Sequence, residues 1–157
     1  MVVIRRAEEK DLGQITNLLY QVHQVHAEGR PDIFKPGMKK YSPQELRALI
    51  KDNAKPIFVA VNEADEAVGY VFCVYQVTNG HPSLTDRKVL YIDDLCVDAQ
   101  HRGQHIGEKL YQFAEEEAKR NGCDSVTLQV WNLNPAAIRF YEKIGFSPLK
   151  VLMEKSL

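Results

Sequence analysis

Cysteine is scarce. The 157-residue chain carries only Cys73, Cys96 and Cys123, widely spaced and without a Cys-x-x-Cys pair. An odd, scattered set argues against a disulfide framework, and the apolar stretches around all three fit small buried residues of a reducing cytoplasm. Net charge is nearly absent too. Twenty basic against 21 acidic residues leave −1, so nothing draws the chain to nucleic acid or to an anionic membrane. No apolar run approaches the ~20 residues of a membrane span. The opening Met1–Arg6 is too short for a signal peptide. Repeats, linkers and low-complexity tracts are also missing. A chain that is 45% hydrophobic and 26% charged is then expected to be one globular domain, 1–157, in the cytoplasm.

Periodicity supplies the elements. Val2 to Arg5 reads as a first strand. Leu12, Ile15, Leu19 and Val22 recur at helical spacing, so a helix is expected from about Glu8 to about His26. Gly29 to Tyr41 is a loop, and Ser42-Pro43-Gln44-Glu45 opens a second helix with a capping box. Ile57–Val61 and Ala67–Val77 flank a polar turn as a hairpin. Val89–Val97 is a further strand, and Ile106, Leu110, Phe113, Ala114 and Ala118 mark one face of a helix that stops at Asn121-Gly122. Val126, Leu128 and Val130 alternate as a fifth strand, a short helix opens at Asn134-Pro135, and a terminal strand is expected near Phe146–Met153. The order β-α-α-β-β-β-α-β-α-β predicts a mixed α/β sheet with helices on both faces.

The densest chemistry lies in Leu95-Cys96-Val97-Asp98-Ala99-Gln100-His101-Arg102-Gly103-Gln104-His105-Ile106-Gly107, a strand, an Arg- and Gly-bearing loop and a helix start. Such a helix start presents unpaired N–H groups and a positive dipole end, which suits a phosphate.

Two segments carry a family likeness. Arg102-Gly103-Gln104-His105-Ile106-Gly107 resembles the Arg/Gln-x-x-Gly-x-Gly/Ala pyrophosphate loop of the GNAT N-acetyltransferases. Asn134-Pro135-Ala136-Ala137-Ile138-Arg139-Phe140-Tyr141-Glu142-Lys143-Ile144-Gly145-Phe146 resembles that family's later Asn-x-x-Ala-x-x-Phe-Tyr-x-x-x-Gly-Phe segment. The element order matches that fold along the whole chain. The resemblance implies acetyl transfer from acetyl-CoA, as co-substrate, to an amine. It implies that the backbone of Leu95, Cys96 and Val97 pairs with the pantetheine arm and that amides of Arg102, Gly103, Gln104, His105, Ile106, Gly107 and Glu108 hold the pyrophosphate. Asn134 would contact the cofactor, and Tyr141 would protonate the leaving thiolate. By pattern alone, Tyr141 is an ordinary packing aromatic beside Phe140. Family members often pair through sheet edges or terminal strands, which leaves a homodimer open.

Within Tyr91-Ile92-Asp93-Asp94-Leu95, two carboxylates interrupt an apolar strand, where isolated charge is costly. Alternation places Asp93 with Tyr91, Leu95 and Val97, and Asp94 on the opposite face. The stretch resembles the acidic pair of the diamine acetyltransferase branch, which implies Asp93 as the proton-removing catalytic group and Asp94 as a structural or substrate-holding one. Structural hydrogen bonding of both acids is the plainer alternative. Another branch, which acts on protein N-termini, places a glutamate where Gln129 stands, and Gln129 is no base.

His105 departs from the loop motif, which has glycine there. A Cβ at that point either displaces the pyrophosphate or is tolerated with the imidazole turned away. The pairs His23/His26 and His101/His105 lack partners at metal-site spacing, so no metal is expected. The loop His26–Phe34 lies where the family builds its acceptor side, as a recognition loop or as an ordinary one with Phe34 tucked inward. The function expected is acetylation of a primary amine of a small molecule. Acetylation of a protein lysine or N-terminus is the alternative within that chemistry, and a non-catalytic CoA-binding sensor is the alternative outside it.

Overall fold

The computed structural model describes all 157 residues. Ser42 opens the second helix through two reciprocal bonds. Its hydroxyl accepts from the Glu45 amide at 3.1 Å, and the Glu45 carboxylate accepts from the Ser42 amide at 3.0 Å. The elements are β1 (Val3–Arg6), α1 (Leu12–Gly29), α2 (Pro43–Ile50), β2 (Ile57–Val61), β3 (Ala67–Thr78), β4 (Arg87–Val97), α3 (Ile106–Arg120), β5 (Ser125–Leu128) and α4 (Pro135–Lys143). A 3-10 turn at Glu9–Asp11 precedes α1, so the first helix starts later and runs further than its apolar spacing suggests.

The five strands lie in the order β1-β2-β3-β4-β5. The first three pairings are antiparallel, and β4 with β5 is parallel. Apolar residues on each face bury a separate core. Ile15, Leu18 and Leu19 of α1 and Leu46 of α2 pack on Val59, Tyr70, Phe72 and Cys96. Ile106, Leu110, Tyr111 and Ala114 of α3 pack on Ala60, Val71, Leu90 and Ile92. Helices therefore cover both faces. Tyr111 takes a deep place on α3, whereas Phe113 is only partly buried and meets Phe58 edge-on at 4.9 Å. Gly69 permits the close fit of α3: a Cβ there would lie 3.0 Å from the Cys96 carbonyl and 3.1 Å from Leu110. No helix is long and apolar enough to cross a membrane.

The expected terminal strand is absent. From Phe146 the chain has no regular structure, and Leu149, Val151, Leu152 and Met153 are exposed. Phe146 turns inward onto Tyr111 and Tyr141, and Pro148 has no N–H to give a ladder. The alternating tail thus has strand patterning but no strand beside it within one chain. Arg30 ties its far end through Glu154 at 2.9 Å.

Candidate active site

β4 and β5 run together only from Val89/Ser125 to Ile92/Leu128. Past that point Leu95, Cys96 and Val97 keep partners on β3 alone, opposite Val71, Tyr70 and Gly69. Their other edge has no strand. Backbone groups left this way are strong donors and acceptors, and an extended amide-bearing ligand can add to them as a further strand.

The loop that follows is anchored from α1. Gln21 donates to the Asp98 carboxylate at 3.2 Å and accepts from the Ala99 amide at 3.2 Å. Asp98 also holds His101 at 3.0 Å. The chain then turns through Gly103, at φ 82°, and His105, at φ 58°. No side chain caps the first turn of α3, so the amides of Ile106, Gly107 and Glu108 keep the donors that a helix start leaves over. Gly107 lets Phe140 of α4 approach: a Cβ there would touch that ring at 3.4 Å.

His105 sits in the left-handed region, which explains why the related motif has glycine. Histidine is among the residues that tolerate it best. Its side chain is 71% exposed and lies 3.5 Å from the Glu108 carboxylate, so it is not packed over the helix start. His105→Gly is expected to raise stability by about 0.5–1 kcal/mol, because the strain of a side chain at positive φ outweighs glycine's extra unfolded-state freedom. Thermal denaturation checks this, and an unchanged or lower midpoint would refute it.

The acidic pair departs from simple alternation. Phe72 pairs with Asp94 and Cys73 with Ile92, so Asp93 is the extra residue of a β-bulge. A bulge lets two successive residues share a side. Leu95 and Val97 consequently pack toward α3, while Asp93 and Asp94 both turn to the α1–α2 side. Tyr41 donates to Asp93 at 2.6 Å and Lys40 reaches the same oxygen at 2.9 Å. Tyr70 donates to Asp94 at 2.8 Å. Burial pushes Asp94 up to about 6, against the opposing pull of the Tyr70 hydrogen bond and Lys40, with Asp93 adding to the rise.

Tyr141 packs edge-on against Phe140 and Phe146. Burial first, and then the charge of Asp94, hold its phenol well above the usual range. It therefore stays protonated at neutral pH and within the field of the second acid. The oxygen of Asn134 caps α4 by accepting from the Ala137 amide at 3.2 Å, so any ligand contact falls to its amide nitrogen. The Cys96 thiol is buried under Leu18, and burial pushes it up to about 12, which makes it a poor nucleophile.

The loop before α2 closes with an aromatic cluster. Phe34 stacks on His26 at 5.0 Å and meets Trp131 edge-on at 5.0 Å and His23 at 5.7 Å. Phe34 is thus partly buried by other loop and helix-end rings and belongs to neither main core. Burial lowers the His26 pKa, with the charges of His23 and Lys40 adding to it. No cluster of three or more metal-ligating side chains occurs. A surface cleft of about 630 Å³ between Lys10, Gly13, Asn17 and Arg47 contains none of these residues.

Gln21, Lys40, Tyr41 and Tyr70 were not visible as site residues in the sequence. Each acts through a contact at least 24 positions away along the chain, and none lies in a recognisable motif.

The open edge of β4 lies beside the uncapped start of α3, with Asp93 and Asp94 on β4 and Tyr141 on α4, an arrangement that could take an extended, phosphate-bearing ligand. The Acetyltransferase (GNAT) family model matches residues 19–146, and the chain belongs to that family. A mutant of the BH1408 protein from Bacillus halodurans shares the fold with a TM-score of 0.95 at 30% identity, covering 99% of both chains. An uncharacterized N-acetyltransferase of Methanocaldococcus jannaschii is 30% identical over 95% of this chain and 62% of its own length. Thialysine N-epsilon-acetyltransferase of Mus musculus is 27% identical over 93% of this chain and 84% of that one. The chain spans only 52% of an Agrobacterium fabrum acetyltransferase that it matches at 41% identity over 73 residues.

Proposed function

We propose that the protein transfers the acetyl group of acetyl-CoA to a primary amine of a small molecule. The parting of β4 from β5 beside the uncapped start of α3 carries this proposal. The edge of Leu95, Cys96 and Val97 would hold the pantetheine arm. Amides from Arg102 to Glu108 would hold the pyrophosphate, with Arg102 adding positive charge, and the Asn134 amide nitrogen would add a donor. Tyr141, kept protonated, gives its hydrogen to the departing sulfur. The mouse relative, named for an ε-amine of thialysine, supports a small primary amine as acceptor.

The contacts of the two acids favour a different division of roles between them. Asp93 is ion-paired and hydrogen-bonded, so it serves best as an anchor for positive charge. Asp94, near 6, is ionised at neutral pH yet basic enough to take a proton from the attacking amine. In this proposal Asp94, directly or through water, takes the base role that the family resemblance implies for Asp93.

Two measurements test the transfer reading. Acetyl-CoA at a hundred times its Kd should stabilise the protein by about 2.7 kcal/mol, and free thiol should appear across a panel of amines. No thermal shift at millimolar acetyl-CoA overturns the reading. A shift without thiol release from any amine would overturn the small-amine reading and favour a CoA-binding sensor.

The exposed tail supports a homodimer. Leu149, Val151, Leu152, Met153 and Leu157 stand in solvent, and the outer edge of β5 has no neighbour. At about 60–120 Å² for each such side chain, two tails would bury roughly 600–1200 Å², which approaches a stable interface once edge hydrogen bonds are added. Light scattering should therefore report a dimer, and Val151→Pro should weaken it by breaking the added strand. A monomeric wild type would dismiss this arrangement.

A further inference from the structure

We infer that Lys40 is an internal competitor for the acceptor, a specificity-determining residue that holds the place of a second ammonium group on Asp93. The inference rests on the transfer reading above and concerns the acceptor side of the same site.

The Lys40 ammonium lies 2.9 Å from the Asp93 carboxylate and 3.4 Å from the Asp93 carbonyl oxygen. It also sits 5.6 Å from the centre of the Tyr41 ring. Tyr41 donates to the same carboxylate oxygen at 2.6 Å and lies parallel to Phe72, with centroids 5.6 Å apart and planes 2° from parallel. A carboxylate beside an aromatic wall is a general way to hold an alkylammonium. Here the alkylammonium comes from the chain itself.

The two partners differ in how firmly they are placed. The Asp93 side chain is 20% exposed and fixed by the bulge and by Tyr41, whereas the Lys40 side chain is 44% exposed. Lys40 also stands in the stretch between α1 and α2, which has only turns and bends. An exposed lysine pair contributes little, so this ammonium can be displaced. An acceptor with one cation has its reacting nitrogen to place by Asp94 and nothing to offer Asp93. An acceptor with a second cation at the far end of its chain can displace Lys40 and gain the pair. Lys40 thus lowers the advantage of a dicationic acceptor without blocking it.

The test compares a linear α,ω-diamine with the monoamine of equal chain length in wild type, Lys40→Met and Lys40→Arg. Methionine keeps the unbranched apolar stem and removes the charge. The ratio of kcat/KM for diamine over monoamine should rise about two- to five-fold in Lys40→Met, the range expected for releasing an exposed ion pair. Lys40→Arg, which keeps the cation, should hold the wild-type ratio. An unchanged or smaller ratio in Lys40→Met overturns the inference. Should wild type turn over neither amine, the transfer reading fails on its own account. The Lys40 inference is then decided by calorimetric diamine binding to the CoA-loaded protein, where equal affinity for wild type and Lys40→Met would overturn it.

Discussion

Tyr141→Phe is expected to reduce kcat by roughly a hundred-fold, the lower part of the range for one positioned proton donor. The change removes a single oxygen from a ring whose neighbours, Phe140 and Phe146, are both aromatic. Packing should survive, so the acetyl-CoA Kd and the melting temperature should stay close to wild type. That pattern separates loss of a donor from loss of a core residue. Equal turnover in the two proteins would remove Tyr141 from the chemistry and leave it as packing, as the helical pattern alone suggests.

Asp94→Asn should produce two opposite effects. Activity at neutral pH should fall by about 10²-fold or more, because an amide cannot accept the amine's proton. The wild-type acid limb of kcat/KM near pH 6 should disappear with it. Stability should move the other way. Asp94 binds its proton more tightly in the folded chain, at about 6, than at its ordinary value of 3.8. The protonated form therefore favours the fold. That contribution is complete below pH 3.8 and is lost as pH rises through 6. At neutral pH the wild type holds a costly buried charge that asparagine does not carry. About two pH units of pKa change correspond to at most about 3 kcal/mol, and partial solvent contact of Asp94 reduces the gain to about 1–2 kcal/mol. Asparagine's oxygen can still accept from Tyr70. A melting curve at pH 7.5 higher for Asp94→Asn, merging with wild type below pH 4, is the expected observation. A variant less stable at every pH would show that the carboxylate is structural rather than a charge kept for reaction.

Much of the fold was legible because its signals are local. The Ser42 capping box, the 57–78 hairpin and the apolar face of α3 each depend on residues within a few positions of one another. His105 stood out because it replaces the glycine of the loop motif, and the structure finds it at a positive φ. The errors have non-local causes. Alternation placed Asp93 and Asp94 on opposite faces, since an extra residue in one strand shows only when its partner strand is known. The 146–153 tail has the pattern of a strand, but pattern gives no information about whether a neighbour exists. Tyr41, Tyr70 and Lys40 reach the acids from β3 and from the stretch before α2, and their sequence surroundings contain no mark of that role.

The bulge at Asp93 has an evolutionary implication. Cys73 and Phe72 pair with residues on either side of Asp93, and Asp93 itself pairs with neither. Losing either of the two adjacent aspartate codons gives the same chain, with one aspartate left opposite Phe72 and every other partner of the ladder unmoved. One of the two carboxylates can therefore be lost or gained in a single step while the pairing of the rest of β4 with β3 stays as it is.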